Sequence, residues 1–198
     1  MTTRPELDGD DPISLFHDWL QAAEANELND PTAAALATAS TAGVPSVRMV
    51  LVKGVEDAGF SFYTNAHSQK GRELTENPHA ALCFHWKSLR RQVRVAGTIT
   101  GLSPDVIDHY FHTRSRRSQV GAAVSHQSHA LTSREQLEQE VALFEQEHPG
   151  EIPRPAFWCG YLLQPSSVEF WIDGPDRLHD RVLFTRYGDR WHKTLLYP

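Results

Sequence analysis

Cysteine is scarce in this chain: its 198 residues hold only Cys83 and Cys159. Neither sits in a C-x-x-C or zinc-type spacing, so a disulfide framework or zinc knuckle is not expected. Both lie in apolar strand-like runs and read as buried, reduced thiols in a cytoplasmic protein. A basic excess is missing too: 19 Lys and Arg face 25 Asp and Glu, for a net charge of −6. That balance argues against nucleic-acid or membrane-surface binding. No apolar run approaches the ~20 residues of a membrane span, and the opening Met1-Thr-Thr-Arg-Pro-Glu6 lacks a signal-peptide core. No G-x-G-x-x-G joins a strand to a helix and no P-loop occurs, so any phosphate must be held mainly by side chains. His109 and His112, and His126 and His129, stand three apart without a third ligand at motif spacing, and no metal is expected. There is no internal repeat or long linker.

What is present reads as strands with helices between them. Residues 1–10 are polar and expected to be loose. Asp11-Pro12 starts a helix whose apolar stripe is Ile13, Phe16, Leu20 and Ala23, and Asn29-Asp30-Pro31 ends it. This divides the chain into an N-terminal segment, 1–32, and a single domain, 33–198. Strands are expected over 34–40, 47–53, 59–64, 79–86, 91–102, 158–164, 167–172, 178–186 and 191–196. Helices are expected over 68–76, 103–113, 118–124 and 133–147, the last opened by a capping box at Ser133 and Gln136. In 91–102, Gln92, Arg94 and Ala96 should face one way and Val93, Val95 and Gly97 the other. The fold class is mainly β with α additions, an antiparallel barrel in meander order.

Four clusters carry candidate chemistry. On a strand, Arg177, His179 and Arg181 would share one face, suiting an anionic aromatic ligand. Alone, such a stretch better suits a solvated face paired with Asp176 and Asp180. Tyr110, Arg114 and Ser118, spaced i, i+4 and i+8, would stack a phenol, a guanidinium and a hydroxyl on one face if the helix from 103 continued. A phosphomonoester wants that mixture, although Arg114 to Arg117 could also be a solvated basic run. In Arg48-Met-Val-Leu-Val-Lys53, alternation puts the two cations on opposite faces unless a bulge intervenes. Finally, Tyr63 and Thr64 feed a helix start at Ser68-Gln69-Lys70, a natural anion site. Together these point to two bound phosphates.

Arg48 to Lys53, Phe62-Tyr-Thr-Asn65, Arg91-Gln-Val93, Tyr110-Phe-His112, Ser125-x-Gln127-Ser128 and Glu169-Phe-Trp171 with Arg177-Leu-His-Asp-Arg181 resemble the pyridoxamine/pyridoxine 5′-phosphate oxidase family. The resemblance runs in order from about residue 33 to the end. It implies an FMN-binding split β-barrel and a homodimer with FMN at the subunit interface. It also implies oxidation of pyridoxine or pyridoxamine 5′-phosphate to pyridoxal 5′-phosphate, with O2 reduced to hydrogen peroxide. Carried over by position, FMN would meet Arg48, Met49, Val50, Leu51, Val52, Lys53, Tyr63, Thr64, Gln69, Lys70, Gln92, Gln127, Ser128, Trp171 and Arg181. Substrate would meet Lys53, Tyr110, Arg114 and Ser118, with Arg177 and His179 as the catalytic pair holding its ring. The chain departs from the family pattern at Gln69, where many members carry arginine, at Ile172-Asp173, and at Leu195. For an N-terminal lid only Arg4 is available. Two rival readings are a phenazine-type flavin oxidase on the same fold and a non-catalytic FMN- or pyridoxal-phosphate-binding protein.

Overall fold

The computed structural model describes residues 5–198; Arg4, the candidate lid residue, lies outside the described residues. Helix α1 (Pro12–Asn26) starts where the Asp11 carboxylate accepts the Ser14 N–H at 2.8 Å, with proline in the first turn. It buries Ile13, Phe16 and Ala23 as expected, and Leu15 and Trp19 as well. Residues 5–10 are not loose. Pro5–Leu7 forms a 3-10 turn, Leu7 is buried, and Trp19 Nε1 donates to the Glu6 carbonyl at 2.8 Å. Lys193 Nζ donates to the carbonyls of Leu7 and Gly9 at 2.9 and 2.8 Å. Backbone carbonyls hold the segment, and composition does not report on those.

Eight antiparallel strands follow: β1 (Ala33–Ala39), β2 (Pro45–Glu56), β3 (Gly59–Asn65), β4 (His79–Trp86), β5 (Arg91–Gly101), β6 (Trp158–Ile172), β7 (Asp180–Tyr187) and β8 (Arg190–Leu196). Their order is β3-β2-β1-β4-β5-β6-β7-β8, and β3 also pairs with β6. Six strands thus close into a barrel, and β7 and β8 extend one wall. The order is two meanders joined through β1 and β4 rather than one, because α2 (Gln69–Glu76) crosses between β3 and β4. Helices α3 (Pro104–Thr113), α4 (Arg116–Val124) and α5 (Arg134–Glu147) all lie between β5 and β6.

The barrel interior is aromatic: Phe16 meets Phe60 and Phe84 edge-on at 4.9 Å each, with Trp86 and Phe170 buried nearby. Val93, Val95 and Gly97 point inward, as alternation predicts. A second cluster of Ile107, Phe111, Val120, Ile152 and Trp158 fastens α3 and α4 to the start of β6.

Two expected elements differ. The strands placed at 158–164 and 167–172 are one bent strand, β6. Proline lacks a ladder donor and so suggests a break at Pro165, but the strand passes it at a bulge. There Gly97 lies opposite Pro165, and a Cβ on Gly97 would come within 2.0 Å of the Gln164 carbonyl oxygen. The last long strand begins at Asp180, not 178. Cys83 and Cys159 are free but half-buried, not fully buried, because each alternates with inward residues on its strand.

Candidate active site

One cleft of about 990 Å³ opens where β2, β3, α2, α3 and α4 meet. That is the upper end of the size range of small-molecule sites, ~300–1,000 Å³. Arg48, Met49, Val50, Leu51, Lys53, Tyr63, Thr64, Gln69, Lys70, Tyr110, Arg114, Ser118, Gln127 and Ser128 all line it. The β2–β3 register shifts between Val52 and Gly54, but exposure alternates through Lys53, so Lys53 stays on the face of Met49 and Leu51, opposite Arg48, and both faces of β2 reach the cleft. Val52 is the exception in this run. Its side chain is buried in the barrel core, as strict alternation ahead of that shift requires.

The α2 start gathers donors that could hold an anion. Ser68 caps it, accepting the Gly71 N–H at 3.3 Å. Lys70 is buried, and its Nζ lies 2.8 Å from Gln127 Oε1, 3.2 Å from Thr64 Oγ1 and 3.3 Å from Ser68 Oγ. All three are neutral oxygens. Burial, then the positive charge of Arg48, pushes the Lys70 ammonium below the usual lysine range. The loop carrying Gln127 and Ser128 is tied on by Asn65 Nδ2 to the Ser125 carbonyl at 3.2 Å and by the Gln69 N–H to Ser128 Oγ at 3.2 Å. Ser128 holds a left-handed φ of 70° to make that contact.

A second cationic group lies across the cleft lining. Tyr63 and Tyr110 stack with centroids 4.0 Å apart, and Tyr63 stacks on Trp158 at 5.3 Å. Arg114 lies over the Trp158 ring at 5.1 Å, and its buried Nη1 has no hydrogen-bond partner. A buried guanidinium N–H left unpaired is costly, and an arriving anion would satisfy it. Burial pushes the Arg114 guanidinium down and the Tyr110 phenol up. The helix does not continue through Arg114, in line with the separate helices expected over 103–113 and 118–124. Arg114 ends α3 with ψ 152°, and Ser115 caps α4 by accepting the Ser118 N–H at 3.3 Å. Tyr110, Arg114 and Ser118 converge because the chain turns, not because one helix face aligns them.

Sequence reasoning missed Glu73, Asn65 and Trp158. Glu73 accepts from Ser46 at 2.6 Å, from Thr38, and from Gln69 at 2.9 Å, and pairs with Arg48 at 3.4 Å. Burial raises its pKa, but the Ser46, Thr38 and Gln69 hydrogen bonds and the Arg48 charge outweigh that and hold it at about 2. The i, i+4 spacing of Gln69 and Glu73 on α2 was the available signal.

Gln92, Trp171, Arg177, His179 and Arg181 do not line this cleft. Gln92, Trp171, His179 and Arg181 gather elsewhere on the same chain, where Trp171 pairs across strands with both Gln92 and Arg181. His179 packs on Trp171 at 4.6 Å. Arg181 is bound to buried Glu169 at 2.8–2.9 Å and to the Tyr197 carbonyl at 2.8 Å, and Glu169 also pairs with Arg94. The shared strand face expected for Arg177, His179 and Arg181 is not formed. Asp176 and Arg177 take left-handed φ values of 55° and 63° in a turn, and His179 precedes the strand. Gly174 sets this turn: a Cβ there would come within 2.1 Å of the Leu178 carbonyl oxygen. Among the described residues, no three His, Cys, Asp or Glu side chains group as a metal site would require, and no helix is long and apolar enough to cross a membrane.

Comparison with known proteins agrees along the whole chain. Residues 20–148 match the family described as pyridoxamine 5′-phosphate oxidase, and 158–198 match a pyridoxine 5′-phosphate oxidase C-terminal dimerisation region. A pyridoxine/pyridoxamine 5′-phosphate oxidase of Sinorhizobium fredii (strain NBRC 101917 / NGR234) is 52% identical, covering 100% of this chain and 98% of its own. One from Rhizobium meliloti (strain 1021) is 53% identical over 96% of this chain and 94% of its own. Among solved structures, PhzG from Burkholderia lata 383 in complex with tetrahydrophenazine-1-carboxylic acid superposes with a TM-score of 0.93. It is 34% identical and covers 100% and 98% of the two chains. A pyridoxamine 5′-phosphate oxidase-related FMN-binding protein from Nostoc punctiforme PCC 73102 shares the fold, with a TM-score of 0.77 at 19% identity and full coverage of both chains.

Proposed function

The chain belongs to the pyridoxamine 5′-phosphate oxidase family, and from that premise we propose that it binds FMN and oxidises pyridoxine or pyridoxamine 5′-phosphate to pyridoxal 5′-phosphate with O2. The observation that carries this reading is a net-acidic protein whose main cleft gathers two separate phosphate-competent groups. One is Lys70 with Thr64, Gln127 and the α2 N-terminus; the other is Arg114 with Tyr110, Ser118 and Lys53. The residues fit FMN on chemical grounds, since a buried ammonium held only by neutral oxygens is ready for a phosphate dianion. When bound, FMN supplies the hydride acceptor and passes the electrons to O2.

In this reading the protein positions and polarises. Lys70 and the α2 amides hold the flavin phosphate, and the outer row of β2 gives the flavin ring an apolar bed. Arg114, Tyr110, Ser118 and Lys53 hold the substrate phosphate. Arg177 and His179 close over the substrate ring from a second copy of the chain, because in one chain they lie outside the cleft. The match to a dimerisation region supports that homodimer.

The likeness to PhzG favours a second reading, a tricyclic phenazine-type substrate on the same fold. A phosphate clamp would have no partner on such a substrate. Anaerobic addition of pyridoxine 5′-phosphate to the FMN-loaded protein tests both. Prompt loss of flavin colour, restored by air with pyridoxal phosphate formed, is the expected result. Persistent colour with demonstrated binding would reject the oxidase reading, and bleaching only by tetrahydrophenazine-1-carboxylic acid would favour the second.

A further inference from the structure

Asp173 lies between β6 and the turn that presents Arg177 and His179. One of its carboxylate oxygens is 3.1 Å from Nδ1 of His179. The other is paired with Arg90 Nη2, and the Asp173 N–H donates to the Arg90 carbonyl at 3.1 Å, so the two residues are joined twice. The backbone N–H of Gly174 also lies 3.1 Å from the same Nδ1. Asp173 and His179 are both mostly shielded, with side chains 17% and 22% exposed, and the Trp171 ring holds the imidazole at 4.6 Å.

The two contacts at Nδ1 make opposite demands. A backbone amide only donates, so it needs a lone pair on Nδ1; a carboxylate only accepts, so it needs a proton there. A neutral imidazole has one proton, and its place at Nδ1 decides what Nε2 offers. With the proton on Nδ1, Nε2 carries a lone pair and accepts. With Nδ1 bare, Nε2 becomes a donor. Of the two, the Gly174 N–H is the one aligned as a hydrogen bond, while the carboxylate stands at ion-pair distance; a hydrogen bond from an Nδ1 proton to it would be charge-assisted and roughly twice as strong as its neutral rival. A bare Nδ1 would also set a lone pair against the carboxylate.

We propose that Asp173, clamped by Arg90, is a positioning residue that holds His179 with its proton on Nδ1, so that Nε2 accepts a hydrogen bond from the C4′ hydroxyl or ammonium of the substrate. The substrate half of this rests on the role given to His179 under the proposed function; the tautomer half does not. In this protein a donor at the substrate's reacting carbon meets an acceptor, and the group that could have made His179 a donor, the Gly174 amide, is outcompeted.

The test is 15N NMR of histidine-labelled, FMN-loaded protein, with His179 assigned by comparison with H179Q, together with kinetics on pyridoxine 5′-phosphate. The wild type is expected to show Nδ1 protonated at neutral imidazole, and D173A to show Nε2 protonated. Turnover of D173A should fall at least ~10-fold, while KM moves less than about threefold because the phosphate clamp is untouched. R90Q should shift the tautomer part-way without touching the imidazole. The same tautomer in wild type and D173A would overturn the positioning role outright. A flipped tautomer with unchanged turnover would overturn the substrate contact and the assignment of His179 with it. Bleaching of the wild-type flavin by the substrate tests the oxidase reading separately.

Discussion

Arg48 of β2 and Glu73 of α2 form a 3.4 Å ion pair in which both side chains are largely shielded, at 20% and 11% exposure. The pair fastens α2 to the barrel wall. Glu73 has its pKa lowered from 4.5 to about 2. A depressed carboxylate contributes stability that is fully present above its unfolded-state value and lost as pH falls through its folded-state value. Urea unfolding should therefore show a wild-type component that disappears between about pH 4.5 and pH 2. Glu73→Gln should lack that component and lose about 1.5–3 kcal/mol at pH 7, the scale of hydrogen bonds to a charged group. Parallel stability–pH curves for the two proteins would refute this account of the pair.

Lys70 supplies the second prediction. Burial and the Arg48 charge lower its pKa in the free protein, and a phosphate dianion would raise it again. FMN binding to apoprotein should then take up protons at alkaline pH, seen by calorimetry in buffers of different ionisation enthalpy. Lys70→Met should abolish the uptake and weaken FMN binding about 10- to 100-fold, as for loss of one charge-assisted bond. The sign for stability is reversed. A lysine with a lowered folded-state value is destabilising while charged, and the penalty fades as pH rises through that value. Lys70→Met apoprotein should therefore be at least as stable as wild type at pH 7.

Much of this site was legible in the chain because short-range rules govern it. The Asp11 and Ser133 caps and the inward Val93 and Val95 follow from local stereochemistry. Two features did not follow. The strand through Pro165 depends on Gly97 of a partner strand. The turn at Asp176 and Arg177 depends on Gly174 tucking under Leu178. Each is set by a residue distant in sequence or by backbone geometry that alternation cannot express.

Arg114 gives a prediction in which stability and binding part company. Its Nη1 is buried without a partner, so the side chain is imperfectly satisfied until an anion arrives. Arg114→Met keeps much of the bulk over Trp158 and removes the unpaired charge. KM for pyridoxine 5′-phosphate should rise about 10- to 100-fold, matching the loss of a charged hydrogen bond. The melting temperature of the ligand-free protein should hold or rise, as expected when function is built on local strain. A large fall in stability with unchanged KM would make Arg114 a structural residue instead.

The separation of Arg177 and His179 from the cleft predicts complementation between chains. If a cleft takes these two side chains from its partner, an Arg177→Ala chain spoils the neighbour's site while its own cleft residues remain intact. An Arg114→Met chain does the reverse. In a two-fold dimer formed by random exchange, half the dimers are mixed, and each mixed dimer carries one site with both wild-type halves. Mixing the two poorly active proteins after gentle dissociation should thus restore about a quarter of wild-type turnover at low substrate. The recovered activity should show the wild-type KM, because the intact site is wholly wild type. If each chain used its own Arg177, every site in the mixture would carry one defect. Turnover would then stay at the average of the two parents however long exchange was allowed, which separates the two arrangements without any structure of the complex.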